Sequence, residues 1–151
     1  MNPTPFHELL RRDFLELSPH MRECGLRATA VDAHGALVTL PYREDWLGDS
    51  ESGRLNPGII TVLVDSCAGL AVLASIGARE PVATLDLRMD YLRPAFRGGD
   101  VQCRASCLRL TASIAFVRAT VWQEREDEPF ATAQLVFMRT AAARPPTGAA
   151  A

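Results

Sequence analysis

Leu55-Asn56-Pro57-Gly58-Ile59-Ile60-Thr61-Val62-Leu63-Val64-Asp65-Ser66-Cys67-Ala68-Gly69 is the stretch on which the fold turns. Pro57 has the fixed φ and the missing N–H suited to a first helical position, and Asn56 before it can cap by accepting a bond from an orphan amide. A helix is therefore expected to start here. From Gly58 to Ile76 nearly every residue is apolar or small, and a helix apolar on all sides has to be surrounded by protein or lipid. Asp65 is the lone charge in that run. Spacing leaves two readings of it open. It is a structural group satisfied by a hydrogen bond, or a general base or nucleophile, because a desolvated carboxylate is costly and seldom kept without a use.

Upstream, Thr4 to Leu17 set Phe6, Leu9, Leu10, Phe14 and Leu17 at helical spacing, which predicts an amphipathic helix that packs on the core and stops at Ser18-Pro19. Two extended runs, 26–33 and 36–42, flank the turn signal Asp32-Ala33-His34-Gly35 and read as a hairpin. Residues 43–55 are polar and glycine-punctuated, a loop of a length that is often functional. Downstream of a turn at Gly77 to Pro81, residues 82–92 alternate, with Ala83, Leu85, Leu87, Met89 and Tyr91 expected on the core face. Further strands are expected at 101–110, 114–124 and 130–139, so that the last four strands form an antiparallel meander. Ala141 to Ala151, with Pro145-Pro146, reads as a disordered tail, which leaves one domain over 1–140 with an N-terminal helix.

A chain of 151 residues suits a single domain with a substantial core. The net charge of −2, with no basic run, argues against a nucleic-acid partner and for a small molecule or another protein. Every basic residue is Arg, a whole-chain bias without functional weight by itself. Cys24, Cys67, Cys103 and Cys107 show no metal-ligand spacing, so no metal site is expected, and they suit a reducing cytoplasm. Glu8, Asp13 and Glu16 interrupt any secretory-signal profile. The apolar run at 59–76 has Asp65 near its middle and no basic flank, so a soluble buried helix is expected and no membrane partner.

Six strands can bury one apolar helix only by curling around it, an α+β arrangement known as the hotdog fold. The residues also resemble a family, the hotdog acyl-CoA thioesterases of the phenylacetate-degradation type, over about 18–140. The resemblance is carried by Gly48-Asp49, Ser52-Gly53-Arg54-Leu55, Asn56-Pro57-Gly58 and Asp65-Ser66. It is carried also by Thr84-Leu85-Asp86-Leu87 running into Tyr91-Leu92-Arg93-Pro94-Ala95.

The resemblance implies hydrolysis of an acyl-CoA with an aromatic or medium-chain acyl group, without a cofactor. By that correspondence Asp65 is the base or nucleophile. Ser66 and Thr84 hold the water or the carboxylate, and Asp49 supports the site from the loop. The family's His-Gly pair is replaced here by Asn56-Pro57, and the family's oxyanion donor is the N–H of that Gly. Proline has none to give. The helix dipole, the Gly58 amide and the Asn56 side chain are the remaining donors, and loss of one oxyanion donor costs on the order of 100–1,000-fold in rate. Arg88, Arg93 and Arg97 are candidate contacts for the CoA phosphates, their other reading being a solvated strand face or turn. Uncovered sheet edges imply a homodimer or a tetramer. Two other activities stay in view. A non-catalytic acyl-CoA or acyl-carrier binding protein would account for Asn56-Pro57. A hydratase ranks last, since it needs a His paired with an acid, and His7, His20 and His34 all precede the long loop.

Overall fold

In the computed structural model, which describes residues 4–139, a six-stranded antiparallel sheet wraps one long helix. The tail read at 141–151 lies outside the described residues. The elements run α1 (Pro5–Asp13), α2 (Pro19–Glu23), β1 (Arg27–Asp32), β2 (Gly35–Leu40), β3 (Leu47–Asp49), β4 (Arg54–Leu55), α3 (Pro57–Ile76), β5 (Val82–Tyr91), β6 (Val101–Leu110), β7 (Ile114–Trp122) and β8 (Ala131–Arg139).

The helix starts where local chemistry puts it. Asn56 is the N-cap and its Oδ1 accepts the Gly58 N–H at 2.7 Å, with Pro57 in the first turn. Gly77, at φ 73°, ends it in the left-handed region that glycine tolerates, its N–H donating to the Leu73 carbonyl. Leu63, Val64, Cys67, Leu70 and Ala71 are fully buried against the sheet. By length and composition α3 could cross a membrane, yet 72% of its most apolar window is buried inside the protein, so it is the core helix. It is not apolar-enclosed on every side, however. Asn56, Pro57 and Gly58 are exposed and Thr61, Val62 and Asp65 half-buried, which leaves an open stripe along its first half.

The sheet order is β1-β2-β6-β7-β8-β5. The β1–β2 hairpin closes through Asp32 opposite Gly35, as its turn residues predict. The expected four-strand meander is only three strands long. β5 does not pair with β6 but crosses over to pair with β8, so it forms an edge. A two-residue period identifies strands without naming their neighbours, and the irregular segment after Tyr91 is long enough to carry the chain across. Leu85 is also misplaced by the alternation. A bulge between Thr84 and Asp86 takes it out of the core face, and it is 56% exposed; Ala83 and Tyr91, expected on the same face, are exposed as well.

Two upstream expectations are revised. Ser18-Pro19 does not merely stop a helix; Ser18 caps α2 by accepting the Met21 N–H, and Pro19 occupies its first turn. The long loop contains a 3₁₀ turn at Glu44–Trp46 and the β3–β4 pair. α1 is pinned to the far end of α3 by His7, which is 4% exposed. Its Nε2–H donates to the Ala74 carbonyl at 3.0 Å, while Nδ1 accepts the Thr4 N–H at 3.1 Å in a capping box.

Candidate active site

Asp65 lies on the open stripe of α3, and the Thr84 hydroxyl of edge strand β5 donates to its Oδ1 at 2.8 Å. The second carboxylate oxygen accepts no hydrogen bond among the described residues. Two of the residues singled out from the sequence are thus brought together on different elements: one oxygen is held, and the other faces solvent. Ser66 is not brought to them. It is 4% exposed, and its hydroxyl donates to the Val62 carbonyl one turn back at 2.7 Å.

At the helix start, the Gly58 N–H is occupied by Asn56 Oδ1. Asn56 Nδ2 makes no hydrogen bond among the described residues. Asn56 Oδ1 and Nδ2 therefore split two roles, with the cap on one atom and a free donor on the other. The backbone N–H of Asn56 donates to the Trp46 carbonyl at 2.8 Å, and Gly48 passes so close that a Cβ there would stand 3.1 Å from Asn56 Cα. Asp49, next to Gly48, turns its carboxylate onto its own loop. It accepts the Ser52 hydroxyl at 2.5 Å and the Glu51 N–H at 3.1 Å, and these bonds, the Ser52 one first, hold its carboxyl below the usual aspartate range. Asp49 thus shapes the loop lying on Asn56 and has no bond to Asp65.

Sequence reasoning gave no role to three residues placed here. The Tyr91 hydroxyl and the Thr61 hydroxyl both donate to the Pro57 carbonyl, at 3.1 and 3.2 Å. Burial pushes the Tyr91 phenol up, so it stays a donor at neutral pH. Tyr91 and Arg54 line a cleft of about 400 Å³ beside the helix start, with Leu55, Pro57, Ile60 and Phe130 as apolar walls and Arg93 also at its margin. Tyr91 stood in the motif quoted above, but nothing in its spacing pointed it at Pro57.

The three arginines proposed for phosphate are exposed and engaged. Arg88 pairs with Asp90 at 3.1 Å. Arg93 donates to the Glu128 carbonyl. Arg97 donates to the Ser50 carbonyl at 2.6 Å and lies 3.7 Å from Glu44. Arg93 and Arg97 share a second cleft of about 530 Å³ with Arg125, and Arg88 is not part of it. Among the described residues no three His, Cys, Asp or Glu side chains gather to hold a metal ion.

Along α3 the helix start and Asp65 are far apart. Asn56 and Asp65 are nine positions apart, which at 1.5 Å per residue is about 13 Å. One chain therefore presents two half-sites, a donor at the helix start and a held carboxylate further along.

The sequence profile of the family described as "Thioesterase superfamily" matches residues 52–130. A Halobacterium salinarum protein named "Putative esterase" is 33% identical over 87 residues, 56% of each chain, so this chain spans little over half the length of that curated relative. A Pseudomonas aeruginosa protein of known structure is 36% identical, with 89% of this chain and 99% of that one covered and a TM-score of 0.79. A thioesterase family protein from Silicibacter pomeroyi, 22% identical over 89% and 98% of the two chains with a TM-score of 0.78, shares the fold.

Proposed function

The chain belongs to the thioesterase superfamily, and from that membership we propose that it hydrolyses acyl-CoA thioesters to a free acid and CoA, with Asp65 as the reacting carboxylate. Thioester hydrolysis in general is what the family and its relatives support; the acyl-CoA substrate and the role of Asp65 are our reading. The observation that carries it is the solvent-facing Asp65 held through one oxygen by Thr84. A carboxylate fixed this way can take a proton from water with its free oxygen while the water oxygen adds to the thioester carbonyl. The tetrahedral oxyanion then collapses, the C–S bond breaks, and the proton on Asp65 passes to the leaving thiolate. Acid and thiol are released, and the carboxylate is restored.

The oxyanion needs a donor close to the same carbonyl. Asn56 Nδ2 is free for that, but the ~13 Å along α3 prevents both groups of one chain from serving one substrate. A second copy placed antiparallel would set Asn56 beside the partner's Asp65, twice over by symmetry. The apolar cleft beside Pro57 would then take the pantetheine arm, with Arg93 and Arg97, which line the neighbouring cleft, as the contacts for the CoA phosphates.

One observation favours a second reading, an acyl-CoA binding protein without turnover: Pro57 has no N–H, and the N–H of Gly58 is already spent on its cap. Asp65→Asn separates the two. Asn keeps size and hydrogen bonding but cannot take a proton. In the hydrolase, thiol release from decanoyl-CoA or phenylacetyl-CoA falls by several orders of magnitude while the melting temperature stays level or rises. Equal turnover in Asp65→Asn removes Asp65 from the mechanism, and tight binding without thiol release by either form establishes the binding protein.

A further inference from the structure

We propose that Tyr91 is an oxyanion donor for the Asp65 reaction, its hydroxyl supplying a hydrogen bond that Pro57, having no N–H, cannot give. This rests on thioester hydrolysis at Asp65 and adds to it a residue that touches the reacting carbonyl.

The proton involved is one that the fold can spare. The Pro57 carbonyl accepts the Tyr91 hydroxyl at 3.1 Å and the Thr61 hydroxyl at 3.2 Å. Pro57 is the first residue of α3, and a helical carbonyl also accepts the amide four positions on, here that of Thr61. Three donors thus converge on an oxygen with two lone pairs. One of them is surplus. The amide is fixed by the helix, and the Thr61 hydroxyl reaches Pro57 from within the same helix, one turn away. Tyr91 comes from β5, and its O–H can turn about the C–O bond without moving the ring. Tyr91 is therefore the donor that can leave Pro57 for a ligand while the carbonyl stays satisfied.

Its surroundings suit that role. Tyr91 is 45% exposed and lines the cleft of about 400 Å³ beside Pro57, Ile60 and Phe130. Among the described residues along this cleft the charged side chains are Arg54 and Arg93, and Arg93 is committed to the Glu128 carbonyl. Tyr91 brings a neutral donor, which gains strength against apolar walls and gives up no ionic hydration as the cleft fills. Partial burial pushes the phenol up, so its proton is present at neutral pH. With the pantetheine arm in this cleft, the thioester carbonyl at its end arrives beside the first turn of α3. Tyr91 belongs to the same half-site as Asn56, so both serve a carbonyl attacked from the partner's Asp65. As the water oxygen bonds to the carbonyl carbon, the C=O electron pair moves onto oxygen. The Tyr91 proton stays on the phenol and its hydrogen bond to that oxygen becomes charge-assisted. Collapse with loss of the thiolate returns the O–H to Pro57.

The test is Tyr91→Phe, which keeps the ring and removes the O–H. Turnover of decanoyl-CoA is measured beside the melting temperature and beside the binding of two non-hydrolysable analogues. One is S-decyl-CoA, a thioether without a carbonyl, and the other a trifluoromethyl ketone analogue of decanoyl-CoA, whose hydrate mimics the tetrahedral state. In Tyr91→Phe, kcat is expected to fall on the order of 100-fold with KM unchanged, as for a lost oxyanion donor. The melting temperature stays level, because Thr61 still serves the Pro57 carbonyl. Wild type binds the ketone more tightly than the thioether, and the variant loses that preference while thioether binding holds. Unchanged kcat, or a lower melting temperature with both analogues weakened alike, makes Tyr91 a clamp on the helix start; it overturns the proposal and leaves hydrolysis at Asp65 standing. A wild type that binds the two analogues equally overturns it as well. Absence of turnover with every ester, with the ketone still preferred by wild type and not by Tyr91→Phe, overturns the hydrolase and leaves the Tyr91 donor standing.

Discussion

The Asn56 side-chain amide has an acceptor end and a donor end, and the two can be tested apart. Oδ1 caps α3 through the Gly58 N–H, and Nδ2 is free. Asn56→Asp keeps the capping acceptor and removes the donor. The melting temperature is expected to hold, while kcat falls on the order of 100–1,000-fold, the usual cost of a lost oxyanion donor. A fall in stability with kcat unchanged would make Asn56 a cap and nothing more. Asn56→His combined with Pro57→Gly restores the amide and the imidazole together and is expected to raise turnover, at a cost of about 1 kcal/mol for the lost cap. Unchanged turnover in that folded variant would show that the oxyanion is held elsewhere. Of the residues that the sequence offered, Asp65 and Thr84 meet, because a helix face and a neighbouring strand bring them together. Ser66 follows Asp65 by one position, hence about 100° around the helix, and turns into the core instead.

At the scale of elements, the start of β5 is tied to the end of β8 by Arg139 and Glu80, which meet through two hydrogen bonds while Arg139 also donates to the Thr111 carbonyl at 2.6 Å. The Arg139 hydrogen bonds hold the Glu80 carboxyl below the usual glutamate range, and its proximity as a charge adds to this. A carboxyl with a depressed folded pKa contributes stability that is present above its unfolded pKa, near 4.3, and lost as pH falls through the folded value. Glu80→Gln is therefore expected to melt lower than wild type at pH 7, with the gap closing as the pH is taken below about 4. A gap of equal size at pH 7 and pH 3 would mean that the pair contributes shape rather than charge.

At the scale of the molecule, one protomer leaves unfinished surfaces together on one side. β5 is a ten-residue edge strand, Leu85 bulges from it 56% exposed, and the open stripe of α3 carries Asp65 beside it. An unpaired edge of that length is a template for another strand. A homodimer is expected, at twice the 16.5 kDa of one chain by light scattering. Leu85→Arg is expected to shift it toward monomer and to lower thiol release in parallel, because each site would draw on both copies. Full activity from a monomer would dismiss the shared site.

The start of α3 at Asn56-Pro57, the β1–β2 turn and the existence of six strands were legible in the sequence. Capping, the fixed φ of proline, turn propensity and side-chain alternation act over a few residues, and their preferences survive in any fold. The neighbour of β5, the exposure of Leu85 and the solvent-facing side of Asp65 were decided only by the tertiary structure. A period of two says that one face is buried without saying by what. A bulge at Leu85 shifts that period by one residue. Whether the apolar α3 is enclosed at Thr61, Val62 and Asp65 depends on how far a sheet of six strands reaches around it, and this sheet ends at β5.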